Sequence, residues 1–594
     1  MLSSLLSYVL TGIVYYLKCA HANNHQKHGE DPILIYPNYI QRKDTRSYTS
    51  QSIQHGHYIY LGGDYACERE LIERYTSDLI STSYSWQKQV DSLNNLAFNT
   101  SRSQAVPINM RRFSQIVFTF KIIEMDLCLG STVVTTPREI DQFDMWAWSQ
   151  YPRLMSRFIY LWSNHKTLIG PCNIGNNKCL SCFTIDGHQK ARRRICRTKQ
   201  VDYQSSDFTE PLVIGCWRTP IRHSLYCEIH QDYQKLDETN KTNRKGIRTY
   251  KLRNSRQWKR QKTIFFGATN CNTNKAKSAS YVNKCSRSFG LLAMVTNCKI
   301  VLSFSEIFRS ETLREIVQLI INTIRIGGDA LPKIACYDDG CHLVKFVQKN
   351  IGKLITNTPA SDALKNTKFY IDKAHWKNHI GTWCKANMSP YSSSALNMIN
   401  TQCAEQFFSW LKPYSTIISS LGWLRAPLYL LVLFHYKNLS TCRVRPNAHF
   451  DIANLVPDAP TVSLPHAASA LENASNLPPA KKNDLITNKG STITAHSTTI
   501  DGNKWIEISN NIEFNIKSTS TKTIRNVSDT IDNKWTAIAS TINSLQPDLL
   551  KKSKTRTRSY STINKWTLQA EQVRKQVKHE IYKSSVEQLT IKIS

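Results

Sequence analysis

A succession of short apolar runs between residues 179 and 375 constrains the fold more than any other feature of this chain. The run CLSCFTI ends at Asp186, and the segment 310–324 has the spacing of apolar residues typical of a helix, with Ser310 as its predicted N-cap. Further runs, rich in β-branched residues, lie at 289–296, 299–305, 331–340 and 367–375. The resulting order of strand, insertion, strand, strand, helix, strand, strand and then helices predicts an α/β fold.

The size and charge of the chain narrow its domain organisation and its partners. Its 594 residues exceed what one hydrophobic core usually serves, which predicts two or more domains. The 77 Lys and Arg against 44 Asp and Glu give a formal charge of +33. Such a charge favours an anionic partner, and nucleic acid is the simplest one; a membrane surface or an acidic protein is the alternative. The N-terminal apolar run of about 15 residues is short for a membrane span, so no membrane-spanning segment is expected; a signal peptide, which would favour disulfides, is the alternative interpretation of this run.

Composition divides the chain into four segments. Residues 1–110 have no clear period and no assigned role, and the aromatic segment 111–171 predicts a helical or mixed lead-in. Residues 172–440 carry the strand and helix pattern, with a Cys/His-rich and basic insertion at 196–262 and a helical insertion at 376–400. Residues 445–594 are rich in Asn, Ser, Thr and Lys with few aromatics, which predicts a low-complexity and mostly disordered tail.

Cysteine and histidine spacing predicts a zinc site within the insertion. The best single ligand set is Cys196, Cys216, Cys227 and His230, because Cys227-x2-His230 places two ligands with little loop entropy. A weaker pair is Cys179-x2-Cys182. Buried free thiols remain the alternative, and a secreted protein with disulfides would use the 17 cysteines differently.

Basic residues follow this cluster. The segment KTNRKGIRTYKLRNSRQWKRQK, 241–262, interleaves ten Lys or Arg with Tyr250 and Trp258, so it could neutralise phosphates and stack on bases. A solvated linker or a nuclear-import signal is the competing interpretation. The candidate DNA-binding residues are Arg192, Arg193, Arg194, Arg244, Lys245, Arg248, Lys251, Arg253, Arg256, Lys259 and Arg260.

Three carboxylates stand where the pattern predicts the ends of elements. Asp186 ends the first strand, Asp338 or Asp339 ends the run KIACYDD, and Glu405 lies at a predicted helix start capped by Asn400 or Thr401. Two-metal phosphoryl transfer needs such a set, because carboxylates hold two cations roughly 4 Å apart. Mg²⁺ suits hard oxygen ligands, and Mn²⁺ is the alternative.

Five segments together resemble the Kyakuja-Dileera-Zisupton (KDZ) transposases and their Cys-rich relatives. They are CLSCFTIDGHQKARRRIC, GCWRTPIRHSLYCEIH, CYDDGC, YIDKAHWKNHIGTWC and NTQCAEQFFSWLKPY, and they cover about 170–440. The resemblance implies a ribonuclease-H-like core of the DDE integrase and transposase type. It also implies that Asp186, Asp338 and Glu405 form the catalytic triad and bind magnesium.

The resemblance carries further expectations about single residues. Asp372-x2-His375 looks like a motif that lies between the second Asp and the Glu in related superfamilies, with a structural or DNA-positioning role. His375, His379 and Cys384 could also bind a metal. His188 stands where the family has Asn after Asp-Gly, and it is a less certain zinc ligand.

The leading hypothesis for function is a DDE transposase-like nuclease and strand transferase that acts on transposon ends and target DNA. It implies a nuclear protein that uses Mg²⁺ or Mn²⁺ together with zinc, and it is compatible with a homo-oligomer. The first alternative is a catalytically silent, domesticated or degenerate transposon-derived DNA-binding zinc protein. The second is a zinc-dependent interaction protein whose charge serves RNA or acidic partners.

Overall fold

A computed structural model describes residues 14–18, 33–63, 65–99, 107–172, 178–234 and 279–457. All of them belong to the first of two compact units, Met1–Thr499; the second unit is Ile500–Ser594. The basic segment 241–262 and the tail from residue 458 lie outside the described residues, and so do the predictions made for them.

The N-terminal part is an antiparallel sheet flanked by helices. Its five-stranded sheet has the order β1-β2-β3-β4-β7, and β5 and β6 form a separate pair. The strands are β1 (Leu17–Lys18), β2 (Ile33–Tyr36), β3 (Tyr39–Arg42), β4 (Thr45–Thr49), β5 (Tyr58–Tyr60), β6 (Ala66–Glu68) and β7 (Val133–Pro137). The helices are α1 (Ser50–Gln54), α2 (Arg69–Thr82), α3 (Trp86–Asn99), α4 (Met110–Cys128), α5 (Ile140–Ser163) and α6 (His165–Leu168).

The central sheet is mixed and has the order β12-β11-β8-β13-β14. Strands β12, β11 and β8 are mutually antiparallel, whereas β13 and β14 run parallel to β8. The strands are β8 (Phe183–His188), β9 (Val201–Tyr203), β10 (Leu212–Ile214), β11 (Gly290–Thr296), β12 (Val301–Ile307), β13 (Ile334–Tyr337) and β14 (Lys368–Tyr370). The α/β prediction is therefore confirmed, and β9 and β10 form a small hairpin within the predicted insertion.

Helices cover this sheet. They are α7 (Ala279–Lys284), α8 (Leu313–Gly327), α9 (Gly340–Asn350), α10 (Pro359–Asn366), α11 (Thr382–Asn387), α12 (Cys403–Leu411), α13 (Ser415–Ser420) and α14 (Arg425–Cys442). Helices α5, α8 and α14 pack against β12, and α12 packs against β11 and β8. Every residue of β11 and β12 is buried, which explains why β11 is almost wholly apolar; the polar residues of β12, Ser303, Ser305 and Glu306, are buried as well.

Some predicted boundaries were wrong. Helix α8 is capped by Thr312 instead of Ser310, because the Thr312 side chain accepts from the Glu315 amide while the Glu315 carboxylate accepts from the Thr312 amide. Helix α12 begins after Gln402 and not after Asn400 or Thr401. The insertion 376–400 holds the short helix α11 and two 3₁₀ turns, Trp376–Asn378 and Ser394–Leu396.

Within the described ranges, no helix has both the length and the apolar character needed to cross a bilayer.

Candidate functional site

Two of the predicted catalytic carboxylates are neighbours on adjacent parallel strands. Ile185 of β8 is in register with Tyr337 of β13. Asp186 and Asp338 each follow by one residue, so they extend the same register across strands that lie about 4.8 Å apart. Residues in register on parallel strands project to the same face of a sheet, and the two carboxylates therefore share one face.

The negative charges of these carboxylates repel one another. Burial raises the pKa of Asp186 well above its ordinary value, and the charges of Asp338 and Glu311 raise it further. Burial and the charge of Asp339 raise the pKa of Asp338 from 3.8 to about 6, while His375 acts in the opposite direction. Ionising these carboxylates together costs free energy, and a bound cation would offset that cost.

A histidine, His375, lies between Glu405 and the region of the two aspartates. The Nδ1 of His375 lies 2.6 Å from an Asp372 carboxylate oxygen, and its Nε2 lies 3.4 Å from the Glu405 carboxylate. The hydrogen bond to Asp372 raises the pKa of His375 to about 9, so the ring is cationic at neutral pH. Asp372, His375 and Glu405 form one cluster of potential ligands, and the Glu405 side chain is 44% exposed. The predicted Asp372-x2-His375 motif is thus next to Glu405.

Contacts around Gly187 and His188 hold the helix and the strand together. The His188 ring stacks on Phe408 of α12 with 4.8 Å between ring centroids, which joins the helix of Glu405 to the strand of Asp186. His188 is therefore a packing residue and not part of a zinc cluster. A Cβ at Gly187 would lie 2.4 Å from a Glu311 carboxylate oxygen, so a larger residue there would require the end of the Glu311 side chain, a fourth acid, to move. Sequence reasoning did not assign Glu311 to the site.

The predicted Cys196, Cys216, Cys227 and His230 form one cluster, and all four lie within ligand distance. The β9–β10 hairpin brings Cys216 opposite Cys196, since the Cys216 amide donates to Thr198. A single 3₁₀ turn, Glu228–His230, presents Cys227 and His230 side by side. Hydrogen bonds from Cys216 and Cys227 lower the pKa of the Cys196 thiol, which favours the thiolate that zinc binds.

The distances within this cluster fit zinc. A tetrahedral zinc ion with Zn–S bonds of about 2.3 Å separates two sulfurs by about 3.8 Å, and a sulfur from an imidazole nitrogen by about 3.5 Å. Cys216 Sγ lies 3.8 Å from Cys227 Sγ. The His230 Nδ1 lies 3.5 Å from Cys196 Sγ and 3.3 Å from Cys227 Sγ. The donor set and its spacing are compatible with zinc binding.

The weaker predicted pair, Cys179 and Cys182, is divided between two places. Cys182 lies 3.9 Å from Cys336 in a small apolar cluster, because a turn with Leu180 in the left-handed conformation separates it from Cys179. Cys179 joins a second cluster with His165, Cys172 and Cys298, three residues that the sequence spacing did not reveal. The pair therefore does not form one site.

A third cluster of Cys and His lies next to the backbone of Asp338. Cys341, His379 and Cys384 are within ligand distance of one another, so His379 and Cys384 gather around Cys341 while His375 does not. The His379 Nε2 donates to the Asp338 carbonyl at 2.7 Å, which fixes the backbone that carries this acid.

Only part of the arginine run 192–194 is exposed to solvent. Arg193, predicted to contact DNA, is 1% exposed, and its guanidinium pairs with Glu306 of β12 at 2.8 Å. That prediction is wrong, because a buried guanidinium already bound by a carboxylate cannot reach a phosphate. Arg194 is exposed and Arg192 is half-buried, so both remain available at the surface.

The fold and these clusters define a mixed α/β protein with carboxylates on two neighbouring strands at the middle of its central sheet and with Cys/His groups suited to metal. Comparison with protein families places the segment more closely: residues 182–437 match the model of the Kyakuja-Dileera-Zisupton transposase family. The match includes Asp186, Asp338 and Glu405, and it covers less than half of the chain. Neither the curated proteins nor the solved structures gave a match.

Proposed function

We propose that this chain is a metal-dependent DNA transposase, a nuclease and strand transferase that cuts at transposon ends and joins them to target DNA. The observation that carries the proposal is the register of β8 and β13, which sets Asp186 beside Asp338 within a segment that matches a transposase family. We expect the protein to act in the nucleus, where its DNA would lie.

The order of the central strands supports a ribonuclease-H-like core. Strands β8, β11 and β12 follow one another as antiparallel neighbours, and β13 and β14 then add in parallel on the other side of β8. Such a sheet places the first acid on its central strand and the second at the end of the adjacent strand. Asp186 and Asp338 occupy these positions.

The residues present fit a divalent cation. Asp186, Asp338 and Glu405 offer the hard oxygen ligands that Mg²⁺ or Mn²⁺ prefers, and the raised pKa values of both aspartates reflect burial first and neighbouring negative charge second. A bound pair of such ions would polarise an attacking water and stabilise the leaving oxygen of a phosphodiester. The protein's own part is to orient: the His375 imidazolium lies between Asp372 and Glu405 and positions the third acid.

Binding of DNA is proposed from charge and from the family. The formal charge of +33 supplies the attraction for phosphates. Arg192, Arg194 and the basic segment 241–262 are the proposed contacts, beside the cluster of Cys196 and its partners. Arg193 is excluded because it is buried.

A second candidate is a DNA-binding protein without catalytic activity. The observation that favours it is the cluster around Glu405, which joins this acid to Asp372 and His375 instead of to Asp186 and Asp338. The two candidates share the fold and the DNA contacts, and they differ in cleavage alone.

The test is cleavage of DNA that carries the terminal repeats of the encoding element. Wild-type protein with Mg²⁺ or Mn²⁺ is expected to nick this DNA, and Asp186→Asn, Asp338→Asn and Glu405→Gln are each expected to abolish nicking while binding persists. Asp329→Asn, an exposed acid in the 3₁₀ turn after α8, is the matched control. Binding by the wild type without any cleavage would favour the second candidate.

A further inference from the structure

A buried cluster of one histidine and three cysteines lies on the side of the sheet where β8 begins. Its members are His165 at the start of α6, Cys172, Cys179 and Cys298 in the turn between β11 and β12. All four residues are buried, and one potential ligand atom of each lies within 4.8 Å of the others.

The spacing of this cluster is that of a tetrahedral metal site. The Nε2 of His165 lies 3.3 Å from Cys179 Sγ and 3.5 Å from Cys298 Sγ, and the two sulfurs are 4.0 Å apart. These values lie close to the edges of about 3.5 Å and 3.8 Å that zinc sets between its nitrogen and sulfur ligands.

The protonation of His165 agrees with metal binding. Its Nδ1 lies 2.6 Å from the Trp162 carbonyl, which can only accept, so Nδ1 carries the proton. Nε2 is therefore the nitrogen left to bind a metal, and it faces the sulfurs of Cys179 and Cys298. Histidine ligands of metals commonly use their second nitrogen in this way to fix the tautomer and the ring orientation.

We propose that His165, Cys172, Cys179 and Cys298 bind a second, structural zinc ion, separate from the Cys196 cluster and independent of DNA cleavage. Four protein ligands that are all buried leave no open position for a substrate, which is typical of structural sites. Cys442 lies 3.6 Å from Cys172, but it is half-exposed and outside the cluster.

The site would tie the helical layer to the catalytic sheet. His165 follows directly after α5, Cys179 precedes β8, and Cys298 belongs to the β11–β12 turn. Asn297 already joins two of these segments, since its side-chain oxygen accepts from the amides of Ser181 and Cys182. The ion would join these segments by coordination bonds near the start of β8, the strand that carries Asp186.

Metal analysis of the purified full chain tests this. The wild type is expected to hold at least two zinc ions, and Cys227→Ser and Cys298→Ser are each expected to lose one. Cys182→Ser is the matched control, because Cys182 is equally buried and near in sequence but lies against Cys336; it is expected to keep the full zinc content.

His165→Cys is expected to keep the zinc, since it restores a fourth ligand, whereas His165→Ala loses it. Cobalt-substituted Cys227→Ser protein is expected to show the absorption of a tetrahedral thiolate site, because this variant keeps all four ligands of the proposed second site. Cys227→Ser protein without zinc and without this absorption, or Cys298→Ser protein with as much zinc as the wild type, would overturn the proposal.

Discussion

Neutralising Asp338 is expected to stabilise the metal-free protein, and increasingly so as the pH rises. The pKa of Asp338 is 3.8 ordinarily and about 6 in the fold, so between these values the folded chain binds more protons than the unfolded chain. Its free energy of unfolding therefore falls as the pH rises through this window. Asp338→Asn removes the carboxyl and with it this loss.

The magnitude follows from the same pKa. Since each tenfold change in proton affinity corresponds to 1.36 kcal/mol, a pKa about 2 higher in the folded chain costs about 3 kcal/mol once both states are ionised. About half of this applies at pH 5 and all of it above pH 7. Neutralising Asp338 also relieves Asp186, whose pKa the Asp338 charge raises, so both effects have the same sign.

The assay is unfolding of wild type and Asp338→Asn at pH 5 and pH 7.5 in buffers without added Mg²⁺, with Asp329→Asn as an exposed control. The stability advantage of Asp338→Asn is expected to grow by about 1.5 kcal/mol between these pH values, while the control changes little. Mg²⁺ at pH 7.5 is expected to stabilise the wild type more than the variant. An advantage that shrinks as the pH rises would refute the reasoning.

Three other perturbations follow from single contacts. Arg193→Ala leaves a buried carboxylate unpaired and is expected to cost about 3–5 kcal/mol of stability in a denaturation measurement. Arg194→Ala removes an exposed side chain whose guanidinium donates to the Ser224 carbonyl at 2.6 Å, so it is expected to cost less stability than Arg193→Ala and to weaken DNA binding in a mobility-shift assay. Gly187→Ala displaces the Glu311 carboxylate and is expected to reduce metal-dependent nicking without changing the zinc content. Nicking equal to that of the wild type would show that the position of Glu311 beside Gly187 does not matter for cleavage. Burial raises the pKa of Glu315 to about 8, so the wild type is expected to lose stability relative to Glu315→Gln from pH 5 to pH 8; a constant difference would contradict that burial cost.

The sequence predicted those features whose signal is local. The β-branched runs at 289–296 and 299–305 indicated a hairpin, which the structure contains as β11 and β12, and the C-x2-H spacing pointed to a cluster whose four members do meet. Both signals depend on residues that are close along the chain or joined by a short hairpin, so little tertiary information is needed.

The remaining features depend on partners far along the chain. His165 and Cys298 are 133 residues apart, and no spacing rule connects a lone histidine to a lone cysteine in a strand turn. Arg193 looked like a DNA contact because it lies in a run of arginines, but its carboxylate partner, Glu306, is 113 residues away in β12. Helix caps were misplaced for another reason: several neighbouring Ser, Thr and Asn residues compete, and only geometry selects one.

The second Cys/His cluster also has a consequence for how the chain is made. During synthesis from the N-terminus, Cys172 and Cys179 emerge long before Cys298 completes their ligand set. Contacts of such long range are slow to form, and thiols without metal are open to oxidation in the interval. If the proposed ion binds, the yield of correctly folded protein depends on zinc and reducing conditions during translation, and metal supplied afterwards cannot recover chains whose cysteines have already been oxidised irreversibly.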